Sequence, residues 1–207
     1  MIGQASLSSV LSALAMHNPK IGYCQSLNFI AGTLLLFMSE EESFWLMCVI
    51  TECLLPHDWY AATMVGTYLD QEVFEAVVRE RLPAIDEKLS SFGLQLSLCS
   101  IQWFMCLFVN TLRMEPALRV WDIFLNEGDQ VLFRVAIGLL KLHEEEILRC
   151  TEASTLHMCL KGTCGDDVFH TLHSTITYYL HAVIFVYIFR SSYYSIRSVM
   201  NMPCRPC

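Results

Sequence analysis

The chain has 207 residues, room for one sizeable core and too few for two ordinary domains. With 54% of residues hydrophobic and 16% charged, it is not a disordered chain, and most of its helices are expected to be buried on more than one face. A net charge of -8, with 13 Lys and Arg spread along the sequence, argues against nucleic acid as the partner, because phosphate binding needs clustered cations.

In chain order, Leu7, Val10, Leu11 and Leu14 recur at helical spacing and predict a first amphipathic helix. It stops at His17-Asn18-Pro19, because the residue before proline disfavours the helical region. After the Gly22 loop, residues 26–38 are apolar on nearly every side and read as a core helix. Ser39 and Glu42 stand in the S-x-x-E pattern of a capping box, which starts a helix over 40–54 that Pro56 closes. The spacing then predicts a helix over 63–79 with Tyr68, Leu69, Val73, Val77 and Val78 inward. Another runs from Pro83, at a favourable first-turn position, to the stop at Gly93.

Residues 94–112 carry no charge and, with Trp103, Phe104 and Phe108, form either a central buried helix or a membrane segment. Pro116 opens a helix that Gly128 ends, and Asp129 is expected to cap a long helix to Arg149 with Val131, Val135, Leu139 and Leu142 inward. No segment alternates with period two, and there is no glycine-rich phosphate loop and no internal repeat. The expected class is all-α.

Most of the 10 cysteines lie in apolar stretches (Cys48, Cys99, Cys106), where a thiol behaves as a small hydrophobe, and no paired C-x-x-C pattern suggests zinc. A reducing compartment fits this usage. Met1 to Gln4 lacks the basic region and apolar core of a signal peptide, so the expected location is cytoplasmic. His17 and His57, beside Pro19 and Pro56, suit capping or surface roles and lack the spaced partners of a metal site. Neither metal nor cofactor is expected. The runs Glu40-Glu41-Glu42 and Glu144-Glu145-Glu146 read as solvated helix faces.

Gly22-Tyr23-Cys24-Gln25, inside the longer phrase His17-Asn18-Pro19-Lys20-Ile21-Gly22-Tyr23-Cys24-Gln25-Ser26-Leu27-Asn28, matches the Y-x-Q signature of the TBC domain family. Further phrases follow in order: Glu42-Ser43-Phe44-Trp45, Leu69-Asp70-Gln71-Glu72-Val73-Phe74, Leu82-Pro83, Gln102-Trp103-Phe104, Arg119-Val120-Trp121-Asp122 and Glu127-Gly128. Together they make the chain resemble the TBC domains of Rab GTPase-activating proteins over residues 6–149, with a match that fades towards 169. The resemblance implies a multi-helix, all-α domain over 1–169 and a divergent hydrophobic C-terminal tail over 170–207. It also implies a partial domain, because the family's upstream R-x-x-x-W element is missing, as is the I-x-x-D-x-x-R motif whose arginine is the catalytic finger. The first arginine here is Arg79.

By this resemblance the chain is not itself an enzyme but an activator that stimulates GTP hydrolysis by a GTP-bound Rab-type small GTPase in vesicle trafficking. Gln25 is then the water-orienting finger, a role suited to a neutral amide that both donates and accepts. Tyr23 is the motif's supporting aromatic or a core tyrosine packing the loop, and Gly22 belongs to the same loop. Asn28, one helical turn beyond Gln25, holds the loop, contacts the GTPase or pairs with backbone. Trp103, Trp121 and Asp122 read as core signatures, with Asp122 tying a helix end.

The missing arginine, which in trans contributes about 10³–10⁵ in rate, leaves an alternative: a catalytically impaired module that binds a Rab. A second alternative is a small membrane protein spanning through 94–112 and the C-terminal segment. Residues 168–189 contain no Asp, Glu, Lys or Arg, yet their most apolar part, 176–189, reaches only about 20 Å as a helix. A bilayer core measures about 30 Å, so peripheral association with endomembranes is expected in place of insertion. The tail reads as a divergent or alternatively spliced end, or as translated intron, and its terminal Cys204-Arg205-Pro206-Cys207 lacks the aliphatic pair of a prenylation box.

Overall fold

The computed structural model describes residues 2–56 and 58–162. His57 and everything expected of residues 163–207, the hydrophobic tail included, lie outside the described residues. The described chain is helical and has no strand. Its elements are α1 (Ile2–His17), α2 (Leu27–Leu34), α3 (Glu40–Val49), a π-helical turn (Ile50–Leu54), α4 (Val65–Arg81) and α5 (Pro83–Ser91). They continue with α6 (Ser97–Met105), α7 (Met114–Glu127), α8 (Gln130–Leu142), α9 (Glu144–Arg149) and α10 (Ala153–Gly162).

Helices α1, α2 and α3 pack on one another, and this group carries the loop between α1 and α2. Val10 and Leu14 supply its buried stripe on α1. The capping box forms as the pattern predicts: the Ser39 amide donates to Glu42 at 2.9 Å, and the Glu42 amide donates back to the Ser39 hydroxyl at 3.4 Å. Three glutamates in the first turn of α3 complement the positive end of its dipole. The helix expected over 40–54 changes register at Ile50. There Thr51 donates its hydroxyl to the Met47 carbonyl at 2.9 Å, and the Leu55 amide reaches back to the Ile50 carbonyl.

The rest of the chain surrounds α8, whose residues from Val131 to Leu140 are all buried. Phe74 of α4, Phe104 of α6 and Phe133 of α8 meet at the centre, with the Phe104 and Phe133 rings edge to face at 5.1 Å. Such pairs contribute about 0.5–1.5 kcal/mol beyond their buried area. Trp59 and Tyr60, both fully buried, bring the 55–64 connection onto this core. Gly66 permits α4 to start there, because a Cβ at this position would lie 3.2 Å from the backbone of Asp58 and Trp59.

Several expectations are corrected. Residues 26–38 do not form one helix: α2 stops at Leu34, where the amides of Leu36 and Phe37 take up tighter bonds three residues back. Residues 94–112 are not one helix either. The nine-residue α6 ends at Met105 in a reversed turn, and among the described residues no helix is long and apolar enough to cross a membrane. On α4 the inward face holds Gly66, Thr67, Asp70, Gln71, Val73, Phe74, Val77 and Val78, while Tyr68 is exposed and Leu69 half-buried. The polar Gln71 belongs inside because its amide oxygen accepts from the buried Ser100 hydroxyl. Lastly, the helix expected from Asp129 to Arg149 breaks at His143 (φ -98, ψ 11), where three consecutive glutamates start α9. Asp129 precedes α8 already in helical dihedrals (φ -65, ψ -20), outside the extended geometry of a side-chain cap.

Candidate functional site

The loop 18–26 is built by its own backbone. The Asn18 carbonyl accepts from the amides of Ile21 (3.1 Å) and Gly22 (2.9 Å), closing a turn that needs the positive φ of 58° at Gly22. Ile21 then anchors the loop in the core, 7% exposed. From the other side the Asn18 side-chain amide donates to Glu52 of the π-helical turn at 3.1 Å. His17 also faces Glu52 at 3.5 Å and lies edge-on to Phe44 at 5.6 Å.

Gln25 is exposed at the end of this loop, immediately before α2. The next residue, Ser26, has φ 104 and ψ -34, a sparsely populated conformation for a residue with a side chain. It costs on the order of 1–3 kcal/mol and persists only where surroundings over-determine it. One support is Asn28, whose Oδ1 accepts from the Ser26 amide at 3.2 Å. Below, the Cys24 thiol donates to the Gln25 carbonyl at 3.4 Å. Tyr23 is 62% exposed, so it is no core tyrosine. With Phe29, 44% exposed, it leaves aromatic surface on either side of Gln25 in sequence.

Helix α6 ends in a reversed turn. There the Phe108 amide bonds the Trp103 carbonyl at 2.9 Å and the Leu107 amide bonds the Phe104 carbonyl at 3.1 Å, the pairing of a Schellman motif. Its left-handed position, usually glycine, is Leu107 at φ 48, followed by Phe108 at φ 65. Burial pushes the Cys106 thiol up, and the Ser26 side chain opposes that rise. Burial likewise raises the Cys24 thiol, and Cys106 adds to the effect.

Of the remaining expected residues, Trp121 donates its indole N–H to the Leu107 carbonyl at 2.9 Å, and Trp103 stacks on Phe108 at 6.4 Å. Both therefore meet the turn after α6. Asp122 is corrected: it lies within α7, is exposed and pairs with Arg119 one turn back at 3.3 Å, so among the described residues it ties no helix end. Ser26, Cys106 and Leu107 escaped sequence reasoning, because a left-handed leucine leaves no compositional mark. Among the described residues no group of three or more His, Cys, Asp or Glu is placed to hold a metal ion.

The sequence model of the Rab-GTPase-TBC domain matches residues 1–148, and the chain belongs to that family. A crystal structure titled as the Chlamydomonas flagellar RabGAP TBC domain superposes with a TM-score of 0.73 at 30% identity, covering 83% of this chain and 58% of that one. Growth hormone-regulated TBC protein 1 of Homo sapiens is 46% identical over 149 residues, 72% of this chain and 44% of that protein. Small G protein signaling modulator 3 of Rattus norvegicus is 39% identical over 155 residues, 75% of this chain and 21% of that protein. The chain thus spans less than half the length of these two curated relatives.

Proposed function

We propose that this chain stimulates GTP hydrolysis by a GTP-bound Rab-type small GTPase, with Gln25 orienting the attacking water. The carrying observation is that Gln25 is a neutral amide on the surface at the end of a loop fixed by its own backbone, in a chain of the Rab-GTPase-TBC family. An amide that donates and accepts, presented from a fixed loop, can hold a water in line. The exposed Tyr23 and Phe29 suit a protein partner, since interfaces are enriched in aromatic side chains. The domain over 1–169 acts at the cytoplasmic face of endomembranes, a placement supported by the free thiols of the described cysteines.

Single-turnover hydrolysis by a panel of GTP-loaded Rab proteins tests this reading. Stimulation by the chain and its loss by about 10²-fold in Gln25→Ala are expected; stimulation that survives Gln25→Ala removes Gln25 from the mechanism. A second reading is favoured by the absence of any arginine before Arg79: the chain binds a GTP-loaded Rab without accelerating it. Retention of that Rab on the immobilised chain, with no change in hydrolysis rate, identifies this case.

A further inference from the structure

The π-helical turn after α3 sets one carboxylate against the loop that presents Gln25. Glu52 stands in the middle of this turn, half-buried, and its Oε1 meets the Asn18 side-chain amide at 3.1 Å and His17 Nε2 at 3.5 Å. Asn18 is thus held twice: its side chain donates to Glu52, and its carbonyl accepts from the Ile21 and Gly22 amides that close the loop's first turn. The far end of the loop is held separately, by the Leu27 amide on the Cys24 carbonyl at 3.2 Å and the Ser26 amide on Asn28. Gln25 sits within this second anchor, and a single residue, Tyr23, joins it to Gly22 in the first. The helix that carries Glu52 departs from regular geometry at this point, since the Leu55 amide reaches the Ile50 carbonyl five residues back at 3.1 Å. Such wide turns are rare and occur frequently at functional sites.

We infer that Glu52 is a positioning residue for Gln25: by accepting from the Asn18 amide it fixes the first anchor of the loop, and with it the place of the glutamine. This rests on the reading of Gln25 above for its consequence in hydrolysis, while the bond to Asn18 exists in the free chain. The part Glu52 plays is that of an acceptor at the right distance, so its charge is dispensable. Glu52→Gln keeps an acceptor for the Asn18 amide, whereas Glu52→Ala removes it and Glu52→Asp withdraws it by one methylene.

The test joins two measurements on the full chain. In single-turnover assays with a responsive GTP-loaded Rab, Glu52→Ala and Glu52→Asp should lower the rate at saturating chain by about 10-fold, with the half-saturating concentration unchanged within about 2-fold. Glu52→Gln should recover the rate. Asn18→Ala should lower it as Glu52→Ala does, and the double variant should fall no further, because both remove one bond. In ¹⁵N-resolved spectra of the free chain, the Gly22 and Gln25 amides should shift in Glu52→Ala and return in Glu52→Gln. An unchanged saturating rate in Glu52→Ala overturns the inference, as do losses that multiply in the double variant. A raised half-saturating concentration beside an unmoved Gln25 resonance also overturns it, by placing Glu52 on the partner. If the wild type stimulates no Rab, the functional reading fails, and the spectra still decide whether Glu52 holds the loop.

Discussion

The phenol of Tyr60 donates to the carbonyl of Met105 at 2.9 Å, joining the 55–64 connection to the last residue of α6 across 45 positions of sequence. Both groups are buried, and burial is the main reason the phenol is held well above its ordinary pKa, with Cys106 and Cys24 adding to the effect. Tyr60→Phe leaves the Met105 carbonyl without this donor, and an unsatisfied buried acceptor costs about 1–3 kcal/mol. Chemical denaturation should show that loss with little change in the denaturant slope. Tyrosine absorbance at alkaline pH should show the Tyr60 phenol of the native wild type resisting ionisation, and its contribution should vanish from Tyr60→Phe.

Gly66 gives an opposite result from the usual helix rule. An interior Gly→Ala change ordinarily stabilises a helix by about 1 kcal/mol. Here the new Cβ would meet three backbone atoms of Asp58 and Trp59 at 3.2–3.3 Å, and Thr67 pins the same backbone by donating to the Trp59 carbonyl at 2.7 Å. Backbone held on both sides yields less than a side chain would. Gly66→Ala should therefore destabilise the chain by about 1–3 kcal/mol, read from thermal unfolding.

The capping box predicts an acid-side dependence. Hydrogen bonds from the Ser39 backbone and then its hydroxyl lower the Glu42 pKa below its ordinary value of 4.5. The folded pKa lies below the unfolded one, so this contribution is full above pH 4.5 and fades as pH falls through the lowered folded value. Ser39→Ala should reduce stability at pH 7, and the gap between variant and wild type should narrow in unfolding curves below that range. A gap that stays constant down to the lowest accessible pH removes Glu42 ionisation from the account.

Much of this architecture was legible because helix stops and starts leave marks in composition. Gly93 is one: at φ 63 it ends α5 in a Schellman turn, with the Leu94 amide on the Leu89 carbonyl. The same motif ends α6 with Leu107 in glycine's place, and there periodicity ran straight through the turn to residue 112. Tertiary contacts hold that turn, and no local rule reports them. Likewise Gln71 occupies the inner face of α4 because its amide oxygen accepts from the buried Ser100 hydroxyl, while a hydrophobicity pattern turns that face towards Tyr68. At the candidate site the family phrase located Gln25, Tyr23, Gly22 and Asn28 in one loop, since they are neighbours in sequence.

The thiols give a last prediction, on the alkaline side. Cys159 of α10 is only half-buried, yet burial first, then Cys150 and the Glu146 carboxylate, push its pKa from 9.0 up to about 11. Only the thiolate alkylates, so at pH 8 about one Cys159 in 10³ is reactive, and its rate should rise about tenfold per pH unit until the thiol titrates. Peptide mapping after brief iodoacetamide exposure of the native chain should find the exposed Cys53 modified well before Cys159. Stability follows the same sign: the folded pKa lies above the unfolded one, so the neutral thiol's contribution is full below pH 9.0 and is lost as pH rises towards about 11. Cys159→Ala should flatten that part of the alkaline unfolding profile. Alkylation of native Cys159 at pH 8 as fast as that of Cys53 would falsify the raised pKa.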